Sequence, residues 1–182
     1  MKFTETKIKG VYCIEPELIR DERGYFTRTF CQKELESHGI EFNIAQTNLT
    51  LTLKKGTIRG MHFQSEPKAE AKIVQCLKGS IYDVAIDLRK NSPTYSQWVT
   101  EELTGDNKKM LYIPKGCAHG LQTLTDDCEV SYLMSEFYSP EHSKGVSWND
   151  PFFNIQWPVK NPSLSEKDKN WSFIKTSGKK SF

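Results

Sequence analysis

The sequence predicts an all-β fold in a single domain. Three observations predict it: turn signals recur at short intervals, the runs between them are rich in β-branched and aromatic residues, and helical periodicity is confined to short stretches. The 182 residues, 37% hydrophobic and 12% aromatic, are enough for one sizeable core and too few for two comfortable ones, so residues 1–182 are read as one domain.

The turns come in order as Glu22-Arg23-Gly24, Lys54-Lys55-Gly56, Lys78-Gly79, Asn91-Ser92-Pro93, Pro114-Lys115-Gly116, Asp126-Asp127 and Asn149-Asp150-Pro151. A barrel or sandwich fits this rhythm. Short helices are expected at Gln32 to Ser37 and Ser165 to Asn170, and a loose polar tail at residues 176–182. The two-residue Lys78-Gly79 turn predicts a hairpin that pairs Leu77 with Ser80. Counting by twos sets Lys72, Val74, Cys76, Ile81, Asp83 and Ala85 on one face, mixed in character like the lining of a ligand cavity. Ile73, Leu77, Tyr82, Val84 and Ile86 take the other face, apolar enough to pack on a second sheet. Phe30, Phe152, Phe153 and Trp157 flank the strands and are expected to cover a dimer interface.

Charge excludes some partners. Lys and Arg total 25 against 23 Asp and Glu, and a net charge of +2 gives no reason to expect nucleic acid or an anionic membrane surface. No apolar run approaches the roughly 20 residues of a spanning helix, and Met1-Lys2-Phe3-Thr4-Glu5 does not open a signal peptide, so no membrane is expected and a cytoplasmic location is. Cys13, Cys31, Cys76, Cys117 and Cys128 lack a C-x-x-C pair and are read as reduced thiols.

Four segments could carry chemistry. Arg59-Gly60-Met61-His62-Phe63-Gln64 brings a cation and a base together. Pro114-Lys115-Gly116-Cys117-Ala118-His119-Gly120 has the P-x-G-x-x-H form of the second half of a cupin double-stranded β-helix. Metal-binding cupins add an H-x-H pair and a Glu, because a transition metal needs three or four converging N/O ligands. Here Gln64 stands at the second histidine, and Glu66 and Glu70 fall at unhelpful offsets, so no metal and no cofactor are expected. Tyr132, in the strand-like Glu129-Val130-Ser131-Tyr132-Leu133-Met134, can deliver a proton. Leu164-Ser165-Glu166-Lys167-Asp168-Lys169 offers a carboxylate that charge alternation alone would leave on a solvated face.

Together, Asp21-Glu22-Arg23-Gly24-Tyr25-Phe26, Gln46-x-Asn48, Gly56 to Gln64, Lys72, Tyr82-Asp83-Val84-x-x-Asp87-Leu88-Arg89, Ser92-Pro93-Thr94, Ile113 to Gly120, Tyr132, Tyr138, Trp148-Asn149-Asp150-Pro151 and Leu164 to Asp168 resemble the dTDP-4-dehydrorhamnose 3,5-epimerase family over nearly the whole chain. The resemblance implies a cupin-type jelly roll with short peripheral helices and a homodimer with exchanged N-terminal strands. It also implies a nucleotide-sugar substrate epimerised at C3 and C5 beside a 4-ketone. His62 is then the base, Asp168 its orienting partner, Tyr132 the acid on the opposite face and Lys72 the cation near the ketone oxygen. Arg23 and Arg59 suit the diphosphate, and Gln46 and Asn48 a nucleobase edge. His119, Phe26 and Tyr138 complete the substrate-binding set. Where the family usually has an acidic residue near the thymidine, this chain has Arg28. Competing readings are a single-site 3- or 5-epimerase, an epimerase for a CDP- or GDP-linked 4-keto sugar, a non-catalytic cupin that binds sugar nucleotides, and a metal-dependent cupin dioxygenase.

Overall fold

The computed structural model describes residues 1–174; the tail expected at 176–182 lies outside them. In chain order the elements are β1 (Lys2–Glu5), β2 (Tyr12–Glu15), β3 (Ile19–Asp21), β4 (Gly24–Phe26), α1 (Gln32–Glu36), β5 (Gln46–Thr52), β6 (Ile58–Gln64), β7 (Lys72–Lys78), β8 (Ser80–Asp87), β9 (Trp98–Thr104), β10 (Met110–Ile113), β11 (Cys117–Thr123), β12 (Cys128–Met134), β13 (Ser143–Gly145) and α2 (Glu166–Lys169). Both helices fall where the sequence suggests, within a residue at either end. One sheet has the order β1-β2-β10-β7-β12-β5, the second β13-β6-β11-β8-β9, and β3-β4 is a separate ribbon. From β5 onward nearly every connection passes from one sheet to the other, the winding of a cupin-type jelly roll.

That winding overturns the expected hairpin. β7 pairs with β10 and β12, whereas β8 pairs with β11 and β9. Lys78-Gly79 is therefore a corner between sheets, and a two-residue turn signals only a sharp reversal. Gly79 has φ +81°, and a Cβ there would lie 2.6 Å from Thr125 Oγ1 and 2.8 Å from Cys128 Sγ, so a side chain would jam the corner.

The division into faces survives this change of partner. Val74, Cys76, Ile81 and Ala85 enter one core between the sheets, with Leu111, Leu121 and Val130. The opposite faces are covered by the chain's own flanks and not by another sheet, while Leu77 is exposed. Ile73 packs with Leu35 of α1 and Phe42, while Val84 and Ile86 pack with Phe153 and Trp157. The aromatic residues expected at a dimer interface mostly serve these flanks: Phe153 and Trp157 are buried, Phe30 packs on the α1 side, and only Phe152 is largely exposed.

Asp87 closes the β8–β9 connection. Its carboxylate accepts hydrogen bonds from Arg89 Nε at 2.8 Å, Ser92 Oγ at 2.5 Å and Thr94 Oγ1 at 2.7 Å. Burial pushes its pKa up, but these donors outweigh burial and hold it at about 2.

Candidate active site

The two sheets supply opposite walls of one cavity of about 410 Å³. On the six-stranded side the register sets Tyr132 across from Asn48 on one flank and Val74 on the other, with Met134 beside Lys72. Residues directly opposite share a face, so Lys72, Tyr132, Asn48 and Thr50 all point inward.

The facing wall depends on an irregularity in β6. His119 pairs with His62 and Leu121 with Arg59, so two steps along β11 are matched by three along β6. Regular alternation would send Arg59 and His62 to opposite faces, because they are separated by an odd number of positions. The extra residue returns both to the cavity, and Met61 turns into the outer core. Gly60 makes this possible: its φ is +137°, and a Cβ would come within 2.5 Å of the Gly120 Cα.

The C-terminal helix closes the mouth. Ser165 caps α2, its hydroxyl accepting from Asp168 N at 3.1 Å, a contact worth about 1 kcal/mol. This fixes buried Asp168 against His62, with Nε2 to Oδ1 at 2.5 Å. Burial raises the Asp168 pKa, but the bond and charge of His62, with the Gly60 N–H, outweigh burial and hold the carboxyl below its ordinary value. An ionised carboxylate only accepts, so Nε2 carries the proton and Nδ1 keeps the lone pair that can act as a base. Trp171 packs edge-on to His62 at 6.3 Å between ring centroids.

A second histidine–carboxylate pair faces the same space. His119 Nε2 lies 2.7 Å from Asp83 Oδ1, and Asp83 Oδ2 is buried with no partner among the described residues. The rings of His119 and Tyr132 meet edge-on at 6.0 Å. Burial pushes the Tyr132 phenol up to about 12, so it keeps its proton at neutral pH.

Lys72 is buried, its Nζ 2.8 Å from Glu70 Oε1. Arg59 is anchored to β5 through Nε to Thr52 Oγ1 at 2.8 Å and Nη2 to the Leu51 carbonyl at 3.3 Å. Gln46 and Tyr138 line an adjoining cavity of about 420 Å³ that shares Asn48, His62 and Lys72. The Gln46 carbonyl is occupied, accepting from Tyr138 N at 2.5 Å, which leaves its amide nitrogen for a ligand. Gln64, at the cupin ligand position, instead accepts from Ser139 N at 2.6 Å and donates to the Lys68 carbonyl at 2.9 Å. Among the described residues no three His, Cys, Asp or Glu side chains are grouped as metal ligands.

Two expected residues stand apart from this cavity. Arg23 and Phe26 lie on the exposed β3–β4 ribbon, where Arg23 Nη2 pairs with Asp21 Oδ2 at 2.5 Å. Arg28, also exposed, pairs with Glu34 at 2.8 Å. Residue-by-residue reading missed Glu70, Lys167, Thr50 and Trp171. Glu70 could have been found, because in an extended segment it shares a face with Lys72 two positions later.

A base on one wall, with a phenol and a cation together on the other, can move a proton at a carbon held in the middle. The family described as dTDP-4-dehydrorhamnose 3,5-epimerase matches residues 5–176. A relative of that name from Methanothermobacter thermautotrophicus is 43% identical over 93% of this chain and 92% of its own length. The crystal structure of dTDP-4-dehydrorhamnose 3,5-epimerase from Bacillus anthracis, with TDP and PPi bound, superposes with TM-score 0.92 at 44% identity, covering 95% of this chain and 99% of that one. The Legionella pneumophila dTDP-6-deoxy-D-glucose-3,5-epimerase, in complex with dTDP-4-keto-L-rhamnose, gives TM-score 0.89 at 37% identity over 94% of this chain and 92% of that one.

Proposed function

The chain belongs to the dTDP-4-dehydrorhamnose 3,5-epimerase family, and from that premise we propose that it inverts C3 and C5 of a dTDP-4-keto-6-deoxyhexose through an enolate, with His62 and Tyr132 as the proton-transfer pair. The observation that carries the assignment of roles is the cavity itself, with an imidazole and a phenol on opposing sheets.

The 4-ketone acidifies the adjacent C–H bonds. His62 Nδ1 takes the proton, the C–H electrons move into the new C=C bond, and the negative charge collects on O4. Lys72 lies where a cation stabilises that charge more than it stabilises the ketone. Tyr132 then protonates the carbon from the other wall, and the configuration inverts. Proton exchange with solvent resets both groups. Asp168 keeps the His62 tautomer fixed throughout. Arg59 faces the nucleotide diphosphate, Asn48 and Gln46 a nucleobase edge, and His119 and Tyr138 line the sugar's surroundings.

A homodimer completes this reading. β1 and β2 belong to the chain's own six-stranded sheet, so β3 and β4 are the strands left for exchange, and their exposed Ile19, Tyr25 and Phe26 are apolar surface suited to a second copy. In that arrangement Arg23 and Phe26 serve the partner's cavity. We read the chain as one domain, since its N-terminal strands and C-terminal helix pack on the same sandwich. A cytoplasmic location accords with five free cysteines, four of them buried. No helix among the described residues is long and apolar enough to cross a membrane.

The test is solvent exchange. In deuterated water, dTDP-4-keto-6-deoxyglucose should acquire label at both C3 and C5. Label at one carbon would indicate a single-site enzyme, and label only with a CDP- or GDP-linked sugar would move the nucleotide assignment.

A further inference from the structure

Glu70 and Lys72 are separated by one residue, and both side chains are buried at the edge of the cavity. An extended chain sends such a pair to the same face. The segment is pinned there, because Ala71 N donates to Ser135 Oγ at 2.7 Å and Ser135 N to the Ala71 carbonyl at 3.0 Å.

Lysine is a poor choice for holding a charge at a fixed point, since its stem is flexible and its ammonium strongly hydrated. Buried in a cavity wall, it needs a fixed acceptor and a compensating charge. Within this space the other charged or titratable side chains are His62, Arg59, Lys167, His119, Tyr132, Tyr138 and Asp168. Asp168 is engaged with His62, which leaves Glu70 as the carboxylate bonded to Lys72.

Building on the reading of Lys72 as the cation at O4, we propose that Glu70 is a positioning residue. Its carboxylate fixes the Lys72 ammonium at one spot in the wall, so that the remaining N–H groups point at the oxygen that gains charge. The enolate then meets a donor already in place, with no rotamer search and no desolvation during the proton transfer.

The experiment compares Glu70→Gln, Glu70→Asp and Lys72→Met in deuterium exchange with dTDP-4-keto-6-deoxyglucose, with dTDP affinity and thermal midpoint measured on each. Glu70→Gln should lower kcat for exchange by about 10- to 100-fold and change KM and dTDP affinity less than threefold, and Glu70→Asp should recover only part of the rate, to about three- to tenfold below the parent. A residue serving the fold alone would lower the thermal midpoint and dTDP affinity together with the rate. Exchange within threefold of the parent in Glu70→Gln, alongside a large loss in Lys72→Met, overturns the role of Glu70 and leaves that of Lys72 standing. Undiminished exchange in Lys72→Met removes the cation at O4 and the proposal with it. Should Glu70→Gln not fold, Glu70→Asp decides: a three- to tenfold fall in kcat at constant dTDP affinity upholds the assignment, and an unchanged rate overturns it.

Discussion

The cavity contains two histidine–aspartate pairs of nearly the same geometry, and their surroundings give them different work. The His62 side chain is 37% exposed and faces the space, whereas that of His119 is 6% exposed and packs beneath Tyr132. Asp168 arrives on a helix from 106 positions away, with the Gly60 N–H as a second donor; Asp83 sits on β8 beside its partner strand and has one oxygen without a partner among the described residues. One pair is open to the cavity, and the other is set into its wall. Under the proposed mechanism access, not the chemistry of imidazole and carboxylate, separates the proton carrier from a residue that lines the sugar's surroundings.

Substitution of the two histidines should show the largest contrast. His62→Ala is expected to reduce exchange by roughly 10²- to 10⁴-fold and to cost less stability than His119→Ala, because Asp168 keeps the Gly60 N–H as a donor. His119→Ala strands the buried Asp83 and should cost about 3 kcal/mol, seen as a fall in Tm of roughly 5–12 °C. If His119→Ala abolished exchange in a protein as stable as the parent, the roles would have to be reversed. Next in size is Asp168→Asn, which exchanges an acceptor for an amide that can stabilise the wrong tautomer; exchange should fall by about 10²-fold or more while dTDP affinity holds. Tyr132→Phe is a finer probe: deuterium should still enter at the carbon facing His62 more readily than inversion is completed, and equal loss of both would mark Tyr132 as packing.

The smallest effect concerns acid stability. Asp87 has a folded pKa of about 2 against an ordinary 3.8, so between those values the unfolded chain binds more protons than the folded one. Its stabilisation is therefore complete above about pH 4 and disappears as pH falls towards 2. Acid titration of Asp87→Asn followed by circular dichroism should lack that part of the transition. Asp168, also held below its usual value, contributes in the same direction.

Much of the fold was legible because alternation and turns are local. The strand stretches and the inward set Lys72, Val74, Cys76, Ile81, Asp83 and Ala85 follow from a period of two, and both helices from short stretches outside that rhythm. Pairing was not, since Lys78-Gly79 reads the same whether its strands lie side by side or part into separate sheets. The site divides along the same line. Lys72 and Tyr132 stand on strands whose faces can be counted, whereas Asp168 depends on a distant helix and was reached by resemblance alone. The joint inward turn of Arg59 and His62 was also hidden, because the added step at Gly60-Met61 leaves no local signal except the glycine.

That added step gives β6 a parity. From Arg59 to His62 the chain must contain one residue more than a regular ribbon would use, and the count matters more than the identities. A larger or smaller side chain at Met61 alters only how well the outer layer fills. Deleting a single residue there would leave the two side chains an even number of positions apart, so a regular ribbon would still present both to the cavity. Straightening the strand with that residue kept in place would instead swing either the guanidinium or the imidazole out to the far side of the sheet.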